Sequence, residues 1–438
     1  MDALQFRRAF DFGPELSQTG WYHSMDFDDG EIIQGYMPLE VQRGRYAEFP
    51  IPADLSGKRV LDVGAWDGWF SFEAERHGAE VVALDCARMD NFVYAHARKR
   101  SNVKYVIAEV YDLPSLGLGT FDYVFFLGVL YHLRHPLLAL EYVCAATREI
   151  AIVDSFVTDE MEAPESAPRP PAMEFYETDE LGGNIDNWFG PTLDCLHALV
   201  RSGGFARTEF LSLWHRHARL ACYRRWPAGA RGVEGPAVAG AVHARNYGIN
   251  FSSGREEYVS CWFTSGAEEL TRGEIMIEIG GFGAAALTLR RDGNAWQANV
   301  RLPPGLAPGA HDVRLRLPDT DFGPASPIFV GCPPIPGRIS ILGFRDGKTW
   351  APDALTASKG TSADLSLWVS GLAANSDVNN VEAVATGPPC HTIYVGIPNA
   401  QGIRQINLRC AAPIPQPSIE VALRQSLVLS TAIKAKIL

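Results

Sequence analysis

The sequence predicts a doubly wound, Rossmann-like α/β domain followed by two all-β sandwich domains. Between Gly57 and Trp226, short apolar strands alternate with helical segments, which is typical of a parallel sheet covered by helices on both faces. Residues 229–244 are small and rich in glycine and proline, as linkers are. Beyond them helical periodicity disappears and short strands recur between turn signals, which is the pattern of β-sandwiches.

The chain divides into five predicted segments. Residues 1–56 precede the first clear strand and carry many aromatic side chains, which either close over a pocket or pack on the edge of the sheet. Residues 158–183 form a long acidic insertion, and loops of this length are more often functional than idle. The segments are a lid or cap at 1–56, the α/β domain at 57–228, a linker at 229–244, and sandwiches at 245–332 and 338–438.

The composition is that of a globular protein with several domains. The 438 residues exceed one ordinary core, and the hydrophobic and charged fractions, 47% and 21%, are average. No apolar run approaches the roughly 18 residues of a membrane helix, so we expect no membrane partner. Four charged residues within positions 2–11 stand where a signal peptide would be apolar, which favours a cytoplasmic location. Exposed edge strands in the sandwiches leave a homo-oligomer open.

The negative charge is concentrated in the half that holds the α/β domain. Residues 1–230 contain 21 Lys+Arg against 34 Asp+Glu, a net charge of −13, whereas residues 231–438 have a net charge of +1. Phosphate contacts supply most of the affinity for nucleic acids, so this acidic half disfavours a nucleic-acid partner without excluding a local basic face.

The cysteines indicate neither a metal site nor a disulfide framework. They are scattered, form no CxxC pair and have no histidine spacing suited to zinc. We expect free, buried thiols, as in a reducing compartment, and no bound metal. The eight cysteines are Cys86, Cys144, Cys195, Cys222, Cys261, Cys332, Cys390 and Cys410.

One glycine turn is the strongest functional signal in the sequence. The stretch from Val60 to Gly68 predicts a buried strand, a tight turn and the start of a helix, a combination that brings backbone N–H groups and a positive helix end close to a ligand. Its pattern is Asp62-x-Gly64-x-x-x-Gly68, which differs from the dinucleotide fingerprint because Trp66 stands where glycine is common. Alone, the turn is compatible with NAD, FAD or a methyl donor.

Two further carboxylates narrow the choice of ligand. Asp85 ends the second strand, where a carboxylate can accept both ribose hydroxyls, and Glu109 ends the third, where it can read an adenine amino group. With Asp62 they lie at the carboxyl ends of three adjacent strands. Each could be a helix cap or a surface charge on its own, but the three together predict a nucleoside site. Clustered carboxylates would repel a pyrophosphate, which favours a methyl donor.

This set resembles the class I S-adenosylmethionine-dependent methyltransferases. The stretch Val124 to Leu137, with Gly128-Val129-Leu130-Tyr131-His132, is similar to the corresponding segment of the tRNA wobble-uridine (carboxy)methyltransferase family, where it borders donor and acceptor. The resemblance covers about residues 15–225 and implies S-adenosyl-L-methionine as cofactor. The residues it implies for the donor are Asp62, Gly64, Ala65, Trp66, Gly68, Asp85, Cys86, Glu109, Val110, Leu127 and Tyr131.

The sequence departs from that family before the glycine turn. The carboxymethyl branch holds a carboxylated donor with basic residues that include lysines, whereas the first lysine here is Lys58. Ordinary S-adenosylmethionine is therefore the expected donor. Residues 338–438 resemble immunoglobulin-like modules appended to varied bacterial proteins, which implies a fold and no activity.

Transfer of a methyl group to a hydroxyl requires alignment, exclusion of water and removal of a proton. We expect His132 to act as the base, with His23 second and Tyr131 shaping the site, although each has an alternative role in packing or backbone hydrogen bonding. We expect an acceptor-binding surface made of Trp21, Tyr22, His23, Asn184 and Trp188.

Three functions remain open from the sequence. The first is methyl transfer to oxygen of a small-molecule or glycosidic acceptor. The second, implied by the resemblance, is modification of a tRNA wobble uridine. The third is a non-catalytic binding protein whose methyltransferase domain is a remnant.

Overall fold

The N-terminal half of the chain alternates strands with helices. The structure, a computed structural model, describes residues 20–159, 171–229, 232–253, 256–355, 362–412 and 418–437. The predicted insertion and lid therefore lie partly outside the described residues. The elements of this half are β1 (Met25–Asp26), β2 (Ile32–Ile33), α1 (Leu39–Ala47), β3 (Arg59–Val63), α2 (Trp69–Arg76), β4 (Glu80–Asp85), α3 (Asp90–Lys99), β5 (Lys104–Ile107), β6 (Phe121–Leu127), α4 (Pro136–Ala146), β7 (Thr147–Phe156), β8 (Met173–Phe175), β9 (Phe189–Pro191), α5 (Leu193–Ser202), β10 (Arg207–Trp214) and β11 (His217–Tyr223), with 3-10 turns at Val110–Ser115 and Leu130–His132.

Seven of these strands form one sheet in the order β10-β11-β7-β6-β3-β4-β5. Strands β3 to β7 pair in parallel, and β11 is antiparallel to both β7 and β10. Successive side chains of β3 enter different cores, since Val60 belongs to one buried cluster and Leu61 and Val63 to the other. This confirms the predicted doubly wound sheet. Its strand order reverses between β3 and β6, so the ligand crevice of such folds lies at the carboxyl ends of these two strands.

The N-terminal segment contains a helix that the sequence analysis did not predict. Helix α1 buries Leu39 and Tyr46 in the core that lies on one face of the sheet. Gln42 is fully buried and forms two hydrogen bonds with the backbone of Ser24, at 2.7 Å to its N–H and 3.0 Å to its carbonyl oxygen. The described part of the predicted lid is therefore fixed to the domain, and its aromatic side chains largely pack there.

The first sandwich begins inside the segment that was predicted as a linker. The small residues of 238–243 form a strand, because Val238 and Ala241 enter the sandwich core. One eight-stranded sheet bends at a bulge in its long strand, whose two ends pair with different neighbours. The strands are β12 (Val238–His243), β13 (Asn250–Phe251), β14 (Tyr258–Thr264), β15 (Met276–Ile279), β16 (Phe282–Asp292), β17 (Ala295–Arg301), β18 (Gly309–Arg316) and β19 (Ser326–Val330), with a 3-10 turn at Arg272–Glu274.

The second sandwich packs a four-stranded sheet on a five-stranded one. The prediction that every cysteine is a free thiol is wrong here, because Cys390 and Cys410 form a disulfide. They face each other on neighbouring strands although 20 residues separate them in sequence, a relation that the spacing alone does not reveal. The strands are β20 (Ser340–Asp346), β21 (Ala354–Leu355), β22 (Ala363–Ser370), β23 (Glu382–Ala385), β24 (Cys390–Val395), β25 (Arg404–Cys410), β26 (Ser418–Gln425), β27 (Val428–Leu429) and β28 (Ile433–Ile437).

None of the helices in the described ranges combines the length and the apolar character that a membrane span needs.

Buried arginines join the α/β domain to the first sandwich. Arg224, 1% exposed, follows β11 and donates hydrogen bonds to the Cys144 sulfur on α4 and to the Pro304 carbonyl oxygen of the sandwich, each at 2.9 Å. Its guanidinium also lies 4.1 Å from the Phe282 ring centroid. From the sandwich side, Arg301 pairs with Glu141 on α4. The two units therefore share desolvated polar contacts.

We expect Arg224→Ala to destabilise both units together, because it removes a buried cation and leaves its hydrogen-bond acceptors unsatisfied. A loss of about 2 kcal/mol or more is the expected magnitude. Arg225→Ala is the matched control, since Arg225 is exposed and bonds the Gly281 carbonyl oxygen. Thermal unfolding of the full chain measures the effect, and equal melting temperatures of the two variants would contradict it.

Candidate functional site

The glycine turn after β3 has the backbone conformation that its sequence predicts. Gly64 and Gly68 have φ angles of 76° and 88°, and Trp66 between them has a φ of 53°. A Cβ atom at position 64 would overlap the side chain of Val129, which lies just after β6. Glycine thus allows the turn to pack beneath the segment that borders the other side of the crevice. Ala65 is buried in the same turn.

Two of the predicted donor carboxylates are buried around this turn. Asp85 accepts a hydrogen bond from the Trp66 N–H at 2.8 Å, and Asp62 accepts one from the Ser71 hydroxyl at 2.6 Å. Burial raises the pKa of both carboxyl groups, that of Asp62 to about 6. The Ser71 hydrogen bond and His23 act in the opposite direction on Asp62. The turn is therefore built around carboxylates that pay a desolvation penalty when ionised.

A third carboxylate, which the sequence analysis did not single out, ties the N-terminal segment to the turn. Asp67 is fully buried, and one of its oxygens accepts hydrogen bonds from the N–H groups of Tyr22 and His23, at 3.0 and 2.8 Å. Its other oxygen pairs with His23 Nδ1. The predicted catalytic residue His23 is thereby held against the donor turn by both its backbone and its ring.

The electrostatics of the turn suit a cationic ligand. Asp85 and Asp67 both raise the pKa of Asp62, and His23 lowers it, so three carboxylates and an imidazole act on one another in a buried space. A positive charge brought close to them would offset the desolvation penalty. The expected methyl donor carries a sulfonium and an ammonium group, so the donor set fits it.

The other predicted donor residues lie on the neighbouring strand ends. Glu109 is exposed and caps the 3-10 turn Val110–Ser115 reciprocally with Asp112, so it has a structural role alongside the predicted one. Val110 is buried. The Cys86 side chain is exposed, and partial desolvation and the neighbouring Asp85 raise the pKa of its thiol to about 12. Their contacts with a donor remain predictions.

The predicted catalytic residues Tyr131 and His132 lie just after the end of β6. Leu127 is the last residue of that strand, and His132 Nδ1 lies 3.2 Å from an oxygen of Asp186 in the loop between β8 and β9. The Tyr131 carbonyl oxygen accepts the N–H of Trp188 at 2.8 Å. The structure therefore brings the β8–β9 loop onto the end of β6.

Two of the predicted acceptor residues have other contacts in the structure. The Trp21 ring is buried and packs edge-on against Tyr94, with ring centroids 6.2 Å apart. The guanidinium of Arg134 covers the Trp188 ring at 4.3 Å. Asn184, in the same loop as Asp186, is half-buried. Acceptor binding by these residues remains a prediction.

A buried ionic cluster beside Tyr131 escaped the sequence analysis. Asp154 near the end of β7 pairs with Arg45 from α1 at 2.6 Å, with Arg219 at 3.4 Å and with His217 Nδ1 at 3.1 Å. The Arg45, Arg219 and His217 partners hold the pKa of the Asp154 carboxyl well below its usual range despite its burial. The signal that could have found it is its place near the carboxyl end of a parallel strand, as for Asp62, Asp85 and Glu109. The Gly128 N–H donates to the Asp154 carbonyl oxygen, which places the cluster next to the crevice.

The described part of the chain contains no group of three or more histidine, cysteine, aspartate or glutamate side chains arranged to hold a metal ion.

Comparison with known proteins defines the class of the N-terminal half. Residues 33–163 match the model of a family described as "Methyltransferase domain", so the chain contains a methyltransferase domain. A tRNA U34 carboxymethyltransferase of Campylobacter jejuni (strain RM1221) is 32% identical over 170 residues, which are 37% of this chain and 54% of that protein. These matches confirm the predicted resemblance. The chain spans about half the length of this curated relative.

Two further proteins are similar to parts of this chain. The ubiquinone biosynthesis O-methyltransferase of Xanthomonas oryzae pv. oryzae (strain PXO99A) is 38% identical over 85 residues, which are 19% of this chain and 36% of that protein. Among solved structures, the N-terminal domain of EvdMO1 in the presence of SAH and D-fucose is 22% identical with a TM-score of 0.34, covering 51% of this chain and 96% of that one.

We expect Gly64→Ala to destabilise the protein by about 2–4 kcal/mol, because it combines a left-handed backbone with an overlap at Val129. Gly44→Ala in α1 is the matched control: its Cβ would meet open space, and alanine should stabilise the helix by about 0.5–1 kcal/mol. Thermal unfolding distinguishes the two. Destabilisation of similar size in both variants would contradict the prediction.

We expect Asp62→Asn to flatten the pH dependence of stability without a ligand. The pKa of Asp62 is about 6 in the folded protein and near 3.8 when unfolded, so the folded state binds the proton more tightly and stability falls as pH rises from about 4 to about 6. The wild type should lose at most about 3 kcal/mol in this window through Asp62. Thermal unfolding between pH 4 and 7 measures this, with the exposed Asp28→Asn as control. Equal slopes in wild type and Asp62→Asn would refute it.

Proposed function

We propose that this protein is an S-adenosylmethionine-dependent methyltransferase that acts on an oxygen atom of a small-molecule or glycosidic acceptor. The observation that supports this proposal most strongly is the set of three buried carboxylates around one glycine turn, Asp62, Asp67 and Asp85. When bound, S-adenosylmethionine supplies an electrophilic methyl group on a sulfonium. We assign the ribose hydroxyls to Asp85 and the ammonium to Asp62, on the chemistry of these side chains.

The pairing of the described arginines that precede Lys58 supports ordinary S-adenosylmethionine over a carboxylated donor. Of the arginines that precede the turn, Arg45 is paired with Asp154 and Arg43 with Asp26. Arg7 and Arg8 lie outside the described residues. A carboxylated donor would bring further negative charge to the three buried carboxylates, which would increase the repulsion.

The acceptor is proposed to lie on the other side of Tyr131. Pairs of histidine and aspartate border this region, and such a pair can receive the proton that a hydroxyl acceptor must lose. The net charge of −13 in residues 1–230 supports an acceptor without a phosphate backbone.

Modification of a tRNA wobble uridine is the second candidate, and the tRNA U34 carboxymethyltransferase relatives favour it. The acidic half disfavours it. The pairing of Arg98 with Asp29 and Glu31 also neutralises part of the basic run at 98–100. A non-catalytic role with a remnant methyltransferase domain is the third candidate.

A cytoplasmic location and a homo-oligomer are further proposals from the sequence. Six cysteines are free thiols, which supports a reducing compartment, and the Cys390–Cys410 disulfide counts against it. The eight-stranded sheet ends at β12 and β13, and Asn250 on β13 is already hydrogen-bonded to Asn375 and Asp377 of the second sandwich, so the β13 edge counts against pairing between subunits there.

The test of the proposal combines donor affinity with a search for the acceptor. Calorimetry should show S-adenosylmethionine binding that weakens at least about tenfold in Asp62→Asn and Asp85→Asn, since each loses a charge that offsets the cation. Glu80→Gln is the matched control, at the other, exposed end of β4. Equal donor affinity in all four proteins would sink the donor-site assignment.

Labelled donor is then incubated with lysate fractions that contain RNA, glycans or small molecules. We expect label in the glycan or small-molecule fraction. Label confined to RNA would support the tRNA candidate, and donor binding without label in any fraction would revive the non-catalytic one.

A further inference from the structure

Three histidine–aspartate pairs border the crevice, and they differ in how the aspartate is held. His23 pairs with Asp67 inside the donor turn, and His132 lies beside Asp186 on two loops. The third pair, which the sequence analysis missed, joins His217 at the start of β11 to Asp154 on β7. These two strands pair directly in the seven-stranded sheet, so this histidine is the one fixed by regular secondary structure on both sides.

The contacts of His217 determine the tautomer of its ring. Asp154 is 2% exposed at its side chain, and its two oxygens face Arg45, Arg219 and His217 Nδ1. An ionised carboxylate only accepts hydrogen bonds, so Nδ1 must carry the proton in this contact. In the neutral ring Nε2 is then the acceptor atom, which is the arrangement that a general base requires.

The charges around Asp154 are balanced before His217 takes up a proton. Arg219 also pairs with Glu48 at 2.6 Å, so two arginines face two carboxylates and the cluster is neutral while His217 is neutral. Protonation of His217 would place a positive charge 3.1 Å from the buried Asp154 oxygen. The carboxylate thus faces the ring that would carry the proton of the acceptor.

The His217 ring also lies at the end of the sheet that holds the crevice, because His217 pairs with Phe156, the last residue of β7. It meets the Tyr131 ring edge-on at 5.5 Å, and its side chain is 25% exposed while Asp154 beneath it is closed to solvent. By contrast, the His23 ring lies between Tyr22 and Phe70 at 4.8 and 5.4 Å, where it serves to hold the N-terminal segment.

We propose that His217 is the general base that takes the proton from the acceptor hydroxyl, and that Asp154 is its positioning residue. This inference rests on the proposed methyl transfer to oxygen. The acceptor oxygen forms a bond to the methyl carbon while that carbon's bond to sulfur breaks and the electron pair stays on sulfur. The acceptor proton moves to His217 Nε2, and the imidazolium later releases it to water.

The test compares full-length His217→Gln with His132→Gln and with His215→Gln as the matched control. His215 is an exposed histidine in the turn just before β11. Donor affinity is measured by calorimetry with S-adenosylmethionine. Turnover is measured with labelled donor and the small-molecule and glycan fractions of lysate, with and without added imidazole.

We expect His217→Gln to lose about 100-fold or more in kcat, to keep donor affinity within about threefold, and to regain activity with imidazole. His215→Gln should match the wild type. His132→Gln should lose less than about tenfold and gain nothing from imidazole. Failure of the wild type to bind the donor would defeat the proposed function itself.

Other outcomes would overturn the base assignment alone. These are wild-type kcat in His217→Gln, and loss of donor affinity in that variant without imidazole rescue, which indicates a structural role. Donor binding by the wild type with no labelled hydroxyl acceptor would instead defeat the proposed transfer to oxygen and the base assignment with it. Asp154→Asn adds a positioning readout: it should lower kcat more than it changes the KM for the donor, and a KM effect alone would remove Asp154 from the mechanism.

Discussion

The hydrogen bonds of the Asp67 carboxylate are the constraint on which the site depends. This side chain lies within the glycine turn, yet its partners are Tyr22 and His23, more than forty residues earlier in the chain. One buried carboxylate therefore fixes two things at once, the shape of the donor turn and the path of the N-terminal segment. Because a buried carboxylate without partners is strongly destabilising, the two features are expected to form or fail together.

Buried charges also define the proposed acceptor side of the crevice. Asp154 is surrounded by two arginines and an imidazole, whereas Asp62 and Asp85 have mainly neutral donors. The pKa of Asp154 is therefore lowered, whereas burial raises the pKa of Asp62 and Asp85 and makes their ionisation unfavourable. The crevice thus has one side that favours an incoming cation and another whose charges are already balanced, which distinguishes the proposed donor side from the proposed acceptor side.

Much of the α/β domain could be predicted from the sequence because its strands are apolar runs bounded by turn residues. Helix α1 could not, because Gly44 and the polar face of this segment give no clear helical periodicity. Asp62, Asp85 and the glycine turn are recognisable because their spacing is local. The cluster around Asp154 is not recognisable in the sequence. Arg45 is 109 residues and His217 is 63 residues from Asp154 along the chain, so they meet only when the sheet forms. The Cys390–Cys410 disulfide and strand β12 also depend on partners from other strands, which the local sequence pattern does not reveal.

The contacts of Arg224 show at which end of the sheet the first sandwich docks. It follows β11, and its N–H bonds the carbonyl oxygen of Glu149 at the start of β7, so the sandwich docks where the parallel strands begin. The donor turn and Tyr131 lie where those strands end. The first sandwich therefore lies at the end of the sheet opposite the crevice. The contacts of Arg224 with the first sandwich and the hydrogen bonds of the donor turn thus lie at opposite ends of the parallel strands, so a change at this junction would leave the described contacts of the turn in place.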